Sequence, residues 1–126
     1  MTGGARVLVV EDNDRNMKLF RDVLGAAGYT TLEASSGEAA LAIASEHVPD
    51  LMLMDIQLPD IDGVEALRHL HADERTAAIP VLALTAQAMY GDRERFLEAG
   101  FDGYIAKPVN IGELLAIVRE HCGRRF

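Results

Sequence analysis

Short apolar runs alternate with amphipathic segments along the whole chain. The apolar runs predict five strands, at 6–10, 30–34, 51–55, 80–85 and 103–107. Each is followed by apolar residues at three- and four-residue spacing, which is typical of a helix with one buried face. These segments predict helices at about 14–27, 36–47, 63–72, 88–99 and 111–122. Strands and helices that alternate in this way form a parallel sheet through right-handed crossovers. The sequence therefore predicts an α/β fold, a doubly wound (βα)5 sheet of five parallel strands.

Helix-capping residues occur where this count requires them. Gly28 and Gly100 follow the first and fourth predicted helices, where glycine is the usual C-terminal cap. Asn110 precedes the fifth helix as its predicted N-cap, with Glu113 at the capping-box position. Asp14 is the predicted N-cap of the first helix. The elements are thus indicated both by their periodicity and by their ends.

Composition narrows the class of protein. The chain has 126 residues, of which 49% are hydrophobic, as expected for one domain with a substantial core. Its net charge of -8 argues against nucleic acid or an anionic membrane as partner. No apolar run approaches the roughly 20 residues that span a bilayer, and the first residues do not resemble a signal peptide, so we expect a cytoplasmic protein. The lone cysteine, Cys122, excludes an internal disulfide.

Chemically active side chains collect at the carboxyl ends of four predicted strands. Glu11 and Asp12 follow the first strand, and Asp55, Thr85 and Lys107 end the third, fourth and fifth. Open parallel sheets bind ligands beyond these ends. Three carboxylates that converge there would raise one another's pKa unless a cation lay among them. Carboxylate oxygens suit a hard cation, and magnesium in particular.

The same residues indicate a phosphoryl-transfer site. Lys107 offers a compact positive charge for a phosphate oxygen or for the Asp55 carboxylate, and Thr85 offers a hydroxyl donor. Each also has a plain structural interpretation: Asp55 as a turn residue, Thr85 as a helix cap, Lys107 as a surface lysine. Their convergence favours the functional interpretation, in which Asp55 is the nucleophile.

Four segments carry a family resemblance, and they are "VLVVEDN" (7–13), "LMLMDIQLPDIDG" (51–63), "PVLALTA" (80–86) and "GYIAKP" (103–108). With them the chain resembles a receiver domain of the two-component response-regulator family over nearly its whole length. The resemblance implies a single receiver domain over 1–126, with a flavodoxin-like sheet of strand order 2-1-3-4-5. Among family members the chain is most similar to stand-alone single-domain regulators of cell division and polarity in alphaproteobacteria.

The resemblance implies roles for the acidic residues. Asp55 would accept a phosphoryl group from a phosphohistidine on a histidine kinase or a histidine phosphotransfer protein. Asp12 would bind Mg2+ directly, Glu11 mainly through water, and Gln57 through its backbone carbonyl. The chain's own chemistry would be limited to self-phosphorylation and slow self-dephosphorylation, so it would not be an enzyme acting on other molecules. Gln57 and Gln87 would tune the lifetime of the phosphorylated form.

The resemblance also implies a two-state switch. Thr85 and Lys107 would hold the phosphoryl oxygens, and the Lys107–Pro108 bond would be cis. Tyr104 would move inward as Thr85 moves toward the phosphoryl group. The change would reach a downstream protein target through the face of helix 4, strand 5 and helix 5, or through helix 1.

Three other functions compete with this interpretation. A Mg2+-dependent aspartyl-phosphate phosphatase would usually have a second aspartate two residues after the nucleophile, where this chain has Gln57. A flavin-type electron carrier would need a loop that cradles phosphate after the first strand, and the acidic "EDND" at 11–14 would repel one. A degenerate receiver would bind partners without phosphorylation, although every residue that phosphorylation requires is present.

Overall fold

The computed structural model describes residues 5–86 and 92–122, with the side chains of 92 and 93 left out. Its strands are β1 (Arg6–Val10), β2 (Thr30–Ala34), β3 (Leu51–Asp55), β4 (Val81–Thr85) and β5 (Gly103–Ala106). Its helices are α1 (Asp14–Ala26), α2 (Gly37–His47), α3 (Gly63–Ala72), α4 (Asp92–Ala99) and α5 (Ile111–Cys122). Every described boundary lies within one residue of its prediction. The predicted start of helix 4 and the residue Gln87 lie outside the described residues.

The sheet has the predicted topology. All neighbouring strands are parallel, in the order β2-β1-β3-β4-β5. The chain moves outward from β1 to β2 and then crosses to β3 on the other side of β1. This reversal between β1 and β3 opens a crevice at their carboxyl ends, where doubly wound sheets bind ligands.

Two apolar layers sandwich the sheet. One lies between the sheet and helices α1 and α5, and it includes Phe20 and Leu114. The other lies between the sheet and helices α2, α3 and α4, and it includes Leu67 and Phe96. Strand β3 is buried along its whole length because it lies in the middle of the sheet with helices on both sides. Asp55 thus ends a strand that has no solvent-exposed face.

The helix ends confirm most of the predicted caps. Gly28 and Gly100 have positive φ angles of 98° and 112°, which glycine adopts without strain. Asn110 Oδ1 accepts a hydrogen bond from the Glu113 N–H at 3.0 Å.

The predicted N-cap of the first helix was wrong. Asn13 is the cap, because it has extended backbone angles and its side chain accepts the Asn16 N–H at 3.0 Å. Asp14 is already the first helical residue, where its negative charge suits the helix dipole.

Among the helices in residues 5–86 and 92–122, none combines the length and the apolar character that crossing a bilayer requires.

Candidate functional site

Buried polar side chains concentrate at the carboxyl end of the sheet. Within the described residues, the buried polar or charged side chains are Glu11, Asp55, Thr76 and Thr85. Thr76 lies elsewhere and donates its hydroxyl to the Leu70 carbonyl at 2.7 Å. The other three stand at the ends of β1, β3 and β4. Burying such groups costs free energy unless they are paired. Their concentration at this edge of the sheet therefore indicates a functional site.

A single lysine joins two of these carboxylates. Lys107 follows β5, and its Nζ lies 2.8 Å from Asp55 Oδ2 and 2.9 Å from Glu11 Oε1. Burial by itself would lower the pKa of Lys107, but its interactions with Asp55 and Glu11 outweigh that effect and raise the pKa. The ammonium therefore stays charged and offsets part of the negative charge of the site.

Glu11 shows the opposite balance. Burial raises the pKa of Glu11, and this effect outweighs the nearby Lys107 charge, which lowers it. Glu11 Oε2 accepts the Asn13 N–H at 3.2 Å. Glu11 Oε1 has no well-oriented hydrogen bond within the described part of the chain, so its contact with Lys107 is an ion pair at 2.9 Å. This oxygen is buried and incompletely satisfied.

The three predicted metal ligands converge. Carboxylate oxygens of Glu11, Asp12 and Asp55 all lie within 4.8 Å of one another. Asp12 is exposed while the other two are buried, so the cluster opens to solvent on one side. Three carboxylates beside one ammonium leave an excess of negative charge, and Glu11 Oε1 still lacks a full partner. The donor set therefore fits a hard divalent cation with open positions for water or a phosphoryl oxygen.

The loop after β3 holds the other Asp55 oxygen. The Gln57 N–H donates to Asp55 Oδ1 at 2.9 Å, so both carboxylate oxygens of Asp55 are engaged. The Gln57 side chain itself is exposed. Its backbone therefore lies against the acid cluster, while its amide is directed toward solvent.

Thr85 and Lys107 are brought together by strand pairing. The Lys107 N–H donates to the Thr85 carbonyl at 2.8 Å, which extends the β4–β5 ladder beyond Ala106. The following peptide bond, Lys107–Pro108, is cis. Thr85 is 5% exposed and stands next to the acid cluster at the end of the neighbouring strand β4.

Tyr104 lies apart from the carboxylates, on the side of the sheet that faces α4. It is half-buried, and its ring centroid is 6.2 Å from that of Phe96, with the rings tilted by 44°. A groove of about 450 Å³ runs between α4, β5 and α5, and Tyr104 is part of its wall. The other walls combine apolar residues such as Leu97 and Ile117 with acidic ones such as Glu113.

Asp60 in this region has hydrogen-bond partners that lie far away in the sequence. Asp60 in the loop after β3 suggests only turn or cap chemistry, since aspartate is common in both. In the structure it accepts hydrogen bonds from the N–H groups of Gly37 and Glu38, at 2.9 and 2.8 Å. These partners precede it by more than twenty residues, so no local pattern in the sequence could have indicated them.

The chain matches a known protein family and is similar to named proteins over most of its length. Residues 7–119 match the response regulator receiver domain family. The chain is 48% identical over 117 residues to the polar-differentiation response regulator DivK of Brucella ovis, covering 93% of this chain and 95% of that protein. It is 46% identical to the DivK of Brucella anthropi over the same shares of the two chains.

Solved structures show the same fold. The receiver domain of the sensor histidine kinase PA1611 from Pseudomonas aeruginosa, with a magnesium ion in its active site cleft, is 38% identical with a TM-score of 0.87. That match covers 95% of this chain and 98% of the other. The co-crystal structure of the Saccharomyces cerevisiae phosphotransfer protein Ypd1 with the receiver domain of Ssk1 gives 27% identity and a TM-score of 0.87, covering 99% of this chain and 93% of the matched chain.

Proposed function

The chain belongs to the response regulator receiver domain family, and we propose that within this family it accepts a phosphoryl group on Asp55 from a phosphohistidine. The observation that carries the proposal is the placement of Asp55 at the end of a buried strand, 2.8 Å from Lys107 and within a cluster of three carboxylates. A purely structural aspartate would not need two further acids beside it, because like charges at this distance destabilise the fold.

The chemistry follows from the groups that surround Asp55. A carboxylate oxygen of Asp55 attacks phosphorus and forms an O–P bond, while the P–N bond breaks and its electron pair stays with the departing imidazole. Glu11, Asp12, Asp55 and the Gln57 carbonyl would hold Mg2+, which when bound supplies positive charge to the phosphoryl oxygens.

Lys107 and Thr85 serve the phosphorylated state. The Lys107 ammonium, already beside Asp55, contacts a phosphoryl oxygen once the carboxylate carries the phosphoryl group as an acyl phosphate. The Thr85 hydroxyl donates to another. These contacts favour a conformation in which Thr85 moves toward the phosphoryl group and Tyr104 turns inward, so that phosphorylation shifts a two-state equilibrium.

The groove beside Tyr104 lies on the face whose shape this conformational change would alter, and a partner could bind there. Leu97 lines this groove and is 42% exposed, so the α4–β5–α5 face presents apolar surface to solvent. A downstream protein target docks on this face or on α1. The phosphodonor is a histidine kinase or a histidine phosphotransfer protein, as the co-crystal structure of Ypd1 with the Ssk1 receiver domain supports.

Incubation with Mg2+ and acetyl phosphate, followed by intact-mass measurement, tests the proposal. We expect one added phosphoryl group that requires Mg2+ and that is absent from the Asp55→Asn variant. No added mass on a folded, Mg2+-bound protein would instead support a receiver that binds partners without phosphorylation. Sustained turnover of a small phosphate ester would support a phosphatase.

A further inference from the structure

A single carboxylate ties the loop after Asp55 to the start of helix α2. Asp60 Oδ1 accepts the Gly37 N–H at 2.9 Å, and Asp60 Oδ2 accepts the Glu38 N–H at 2.8 Å. Gly37 and Glu38 are the first two residues of α2, so their N–H groups have no acceptor within the helix. Asp60 therefore satisfies two donors of an element that lies far away in the sequence.

Helix α2 also has a local cap. Ser36 has extended backbone angles, and its hydroxyl accepts the Ala39 N–H at 3.1 Å. A serine N-cap of this kind stabilises the start of a helix with a residue from the same segment of the chain. The Ser36 hydroxyl bonds the Ala39 N–H, whereas Asp60 bonds the N–H groups of Gly37 and Glu38 and so adds a link between the helix and the loop beyond this local cap.

Close packing reinforces this link. A Cβ built on Gly37 would lie 2.4 Å from Ile61 Cγ1 and 2.9 Å from Ile61 Cδ1, so only glycine permits this approach. Ile61 packs in turn against the apolar layer beneath α2 and α3. We call Asp60, Ile61 and Gly37 the α2 clamp.

The loop is fixed at its other end by Ile56. The Ile56 N–H donates to the Leu84 carbonyl at 3.0 Å, and the Ile56 carbonyl accepts the Gly63 N–H at 2.9 Å. Residues 57–59 therefore bridge two anchored points, Ile56 and the α2 clamp. Gln57 lies in this bridge, and its N–H holds Asp55 Oδ1 at 2.9 Å.

We propose that Asp60 is a positioning residue of the phosphorylation site. By anchoring the loop to α2, the Asp60 carboxylate sets where the Gln57 backbone lies relative to Asp55 and the acid cluster. Its loss would let the 57–59 bridge shift, so that the Gln57 carbonyl no longer adds to the cation site. The inference rests on the proposed function for the identity of the cation and of the Gln57 ligand.

Two matched variants test this role. Asp60→Ala removes the link to the loop, whereas Ser36→Ala removes a cap from the same helix end without touching the loop. Calorimetric titration with Mg2+ gives the dissociation constant of each. We expect Asp60→Ala to raise it on the order of tenfold, the lower end of what loss of a supporting contact costs a metal site. Ser36→Ala should leave it unchanged although it also destabilises the helix.

Two further readouts complete the test. The backbone amide resonance of Gln57 should shift in Asp60→Ala and stay in place in Ser36→Ala, even without Mg2+. Asp60→Asn, which keeps one carbonyl acceptor, should bind Mg2+ more weakly than the wild type, and it takes the place of Asp60→Ala if that variant fails to fold. Equal Mg2+ affinities and unshifted Gln57 amides in all variants would overturn the positioning role.

Wild-type protein that binds Mg2+ but gains no phosphoryl group would refute the proposed function alone, while the affinity comparison would still decide the role of Asp60.

Discussion

Lys107 and Asp55 are 52 positions apart in the chain, yet Lys107 Nζ lies 2.8 Å from Asp55 Oδ2. The same ammonium is 2.9 Å from Glu11, so one lysine stabilises two buried carboxylates. This arrangement places a positive charge beside Asp55, where, under the proposed function, the oxygens of an incoming phosphoryl group would lie. The stability of the site and its chemistry thus depend on the same contact.

Removing the lysine should therefore destabilise the protein in a way that a cation can partly reverse. We expect Lys107→Met to lower the free energy of unfolding by about 2 kcal/mol in EDTA, because two partly or fully buried carboxylates lose their partner. Saturating Mg2+ should recover part of the loss. Urea unfolding with and without Mg2+ measures both effects.

Lys18→Met is the matched control for that experiment. Lys18 pairs with Asp22 on α1, where the two side chains are 69% and 56% exposed. We expect a change of under about 0.5 kcal/mol with no dependence on Mg2+, as for other exposed pairs. Equal losses in the two variants would show that the Lys107 pair contributes no more than a surface contact.

Mg2+ should stabilise the wild-type protein by mass action. At a free Mg2+ concentration of one hundred times the dissociation constant, the gain would be about 2.7 kcal/mol. Asp12→Asn should abolish most of this gain, and its stability in EDTA should equal or exceed that of the wild type because one repulsive charge is gone. Thermal unfolding in EDTA and in Mg2+ provides the comparison, and a full Mg2+ response in Asp12→Asn would contradict the ligand assignment.

The α2 clamp makes a pH-dependent contribution to the stability of the fold. Hydrogen bonds from the Glu38 and Gly37 N–H groups lower the pKa of Asp60 in the folded protein. A depressed carboxyl pKa stabilises the fold above the unfolded pKa, near 4, and this contribution is lost as the pH falls through the folded value. The stability difference between wild type and Asp60→Asn should therefore be present at neutral pH and disappear in acid. A difference that stays constant from neutral pH to pH 3 would contradict this account.

Gly37 should tolerate alanine poorly although it begins a helix. Alanine normally stabilises a helix relative to glycine by up to about 1 kcal/mol. Here the new Cβ would lie 2.4 Å from Ile61 Cγ1, so we expect Gly37→Ala to destabilise the protein by about 1–3 kcal/mol.

Gly25 on α1 is the control, because a Cβ there would meet nothing within 4 Å, and Gly25→Ala should not destabilise. Combining Gly37→Ala with Ile61→Ala should cost less than the sum of the single changes, since the clash is then removed. Additive losses in urea unfolding would rule out the contact as the cause.

The phosphorylated form should decay faster when the glutamines near the site are shortened. The Gln57 side chain is exposed beside Asp55, and Gln87 lies outside the described residues. We expect Gln57→Ala combined with Gln87→Ala to shorten the phosphorylated lifetime, because smaller side chains leave the acyl phosphate open to water. The loss of phosphoryl mass over time after removal of the donor measures this, and an unchanged decay would count against it.

Much of the site could be predicted because strand ends in a parallel sheet share one edge. Five parallel strands bring Glu11, Asp55 and Lys107 to the same edge of the sheet, whereas the distances between them depend on the strand order and the packing. Capping was less predictable, since Asn13 and Asp14 are adjacent and both are good N-cap residues. The backbone angles of Asn13, which are extended rather than helical, decide between them.

The amino-acid sequence alone predicts the five strands, the helices between them, and the acids, hydroxyl and lysine at the strand ends. Each of these depends on local periodicity or on the position of a residue along its own element. The folded structure is needed to show that Lys107 pairs with both Asp55 and Glu11, and that Asp60 caps a helix formed earlier in the chain. Those contacts join residues more than twenty positions apart, and their distances depend on how the loops and helices pack, which no local pattern encodes.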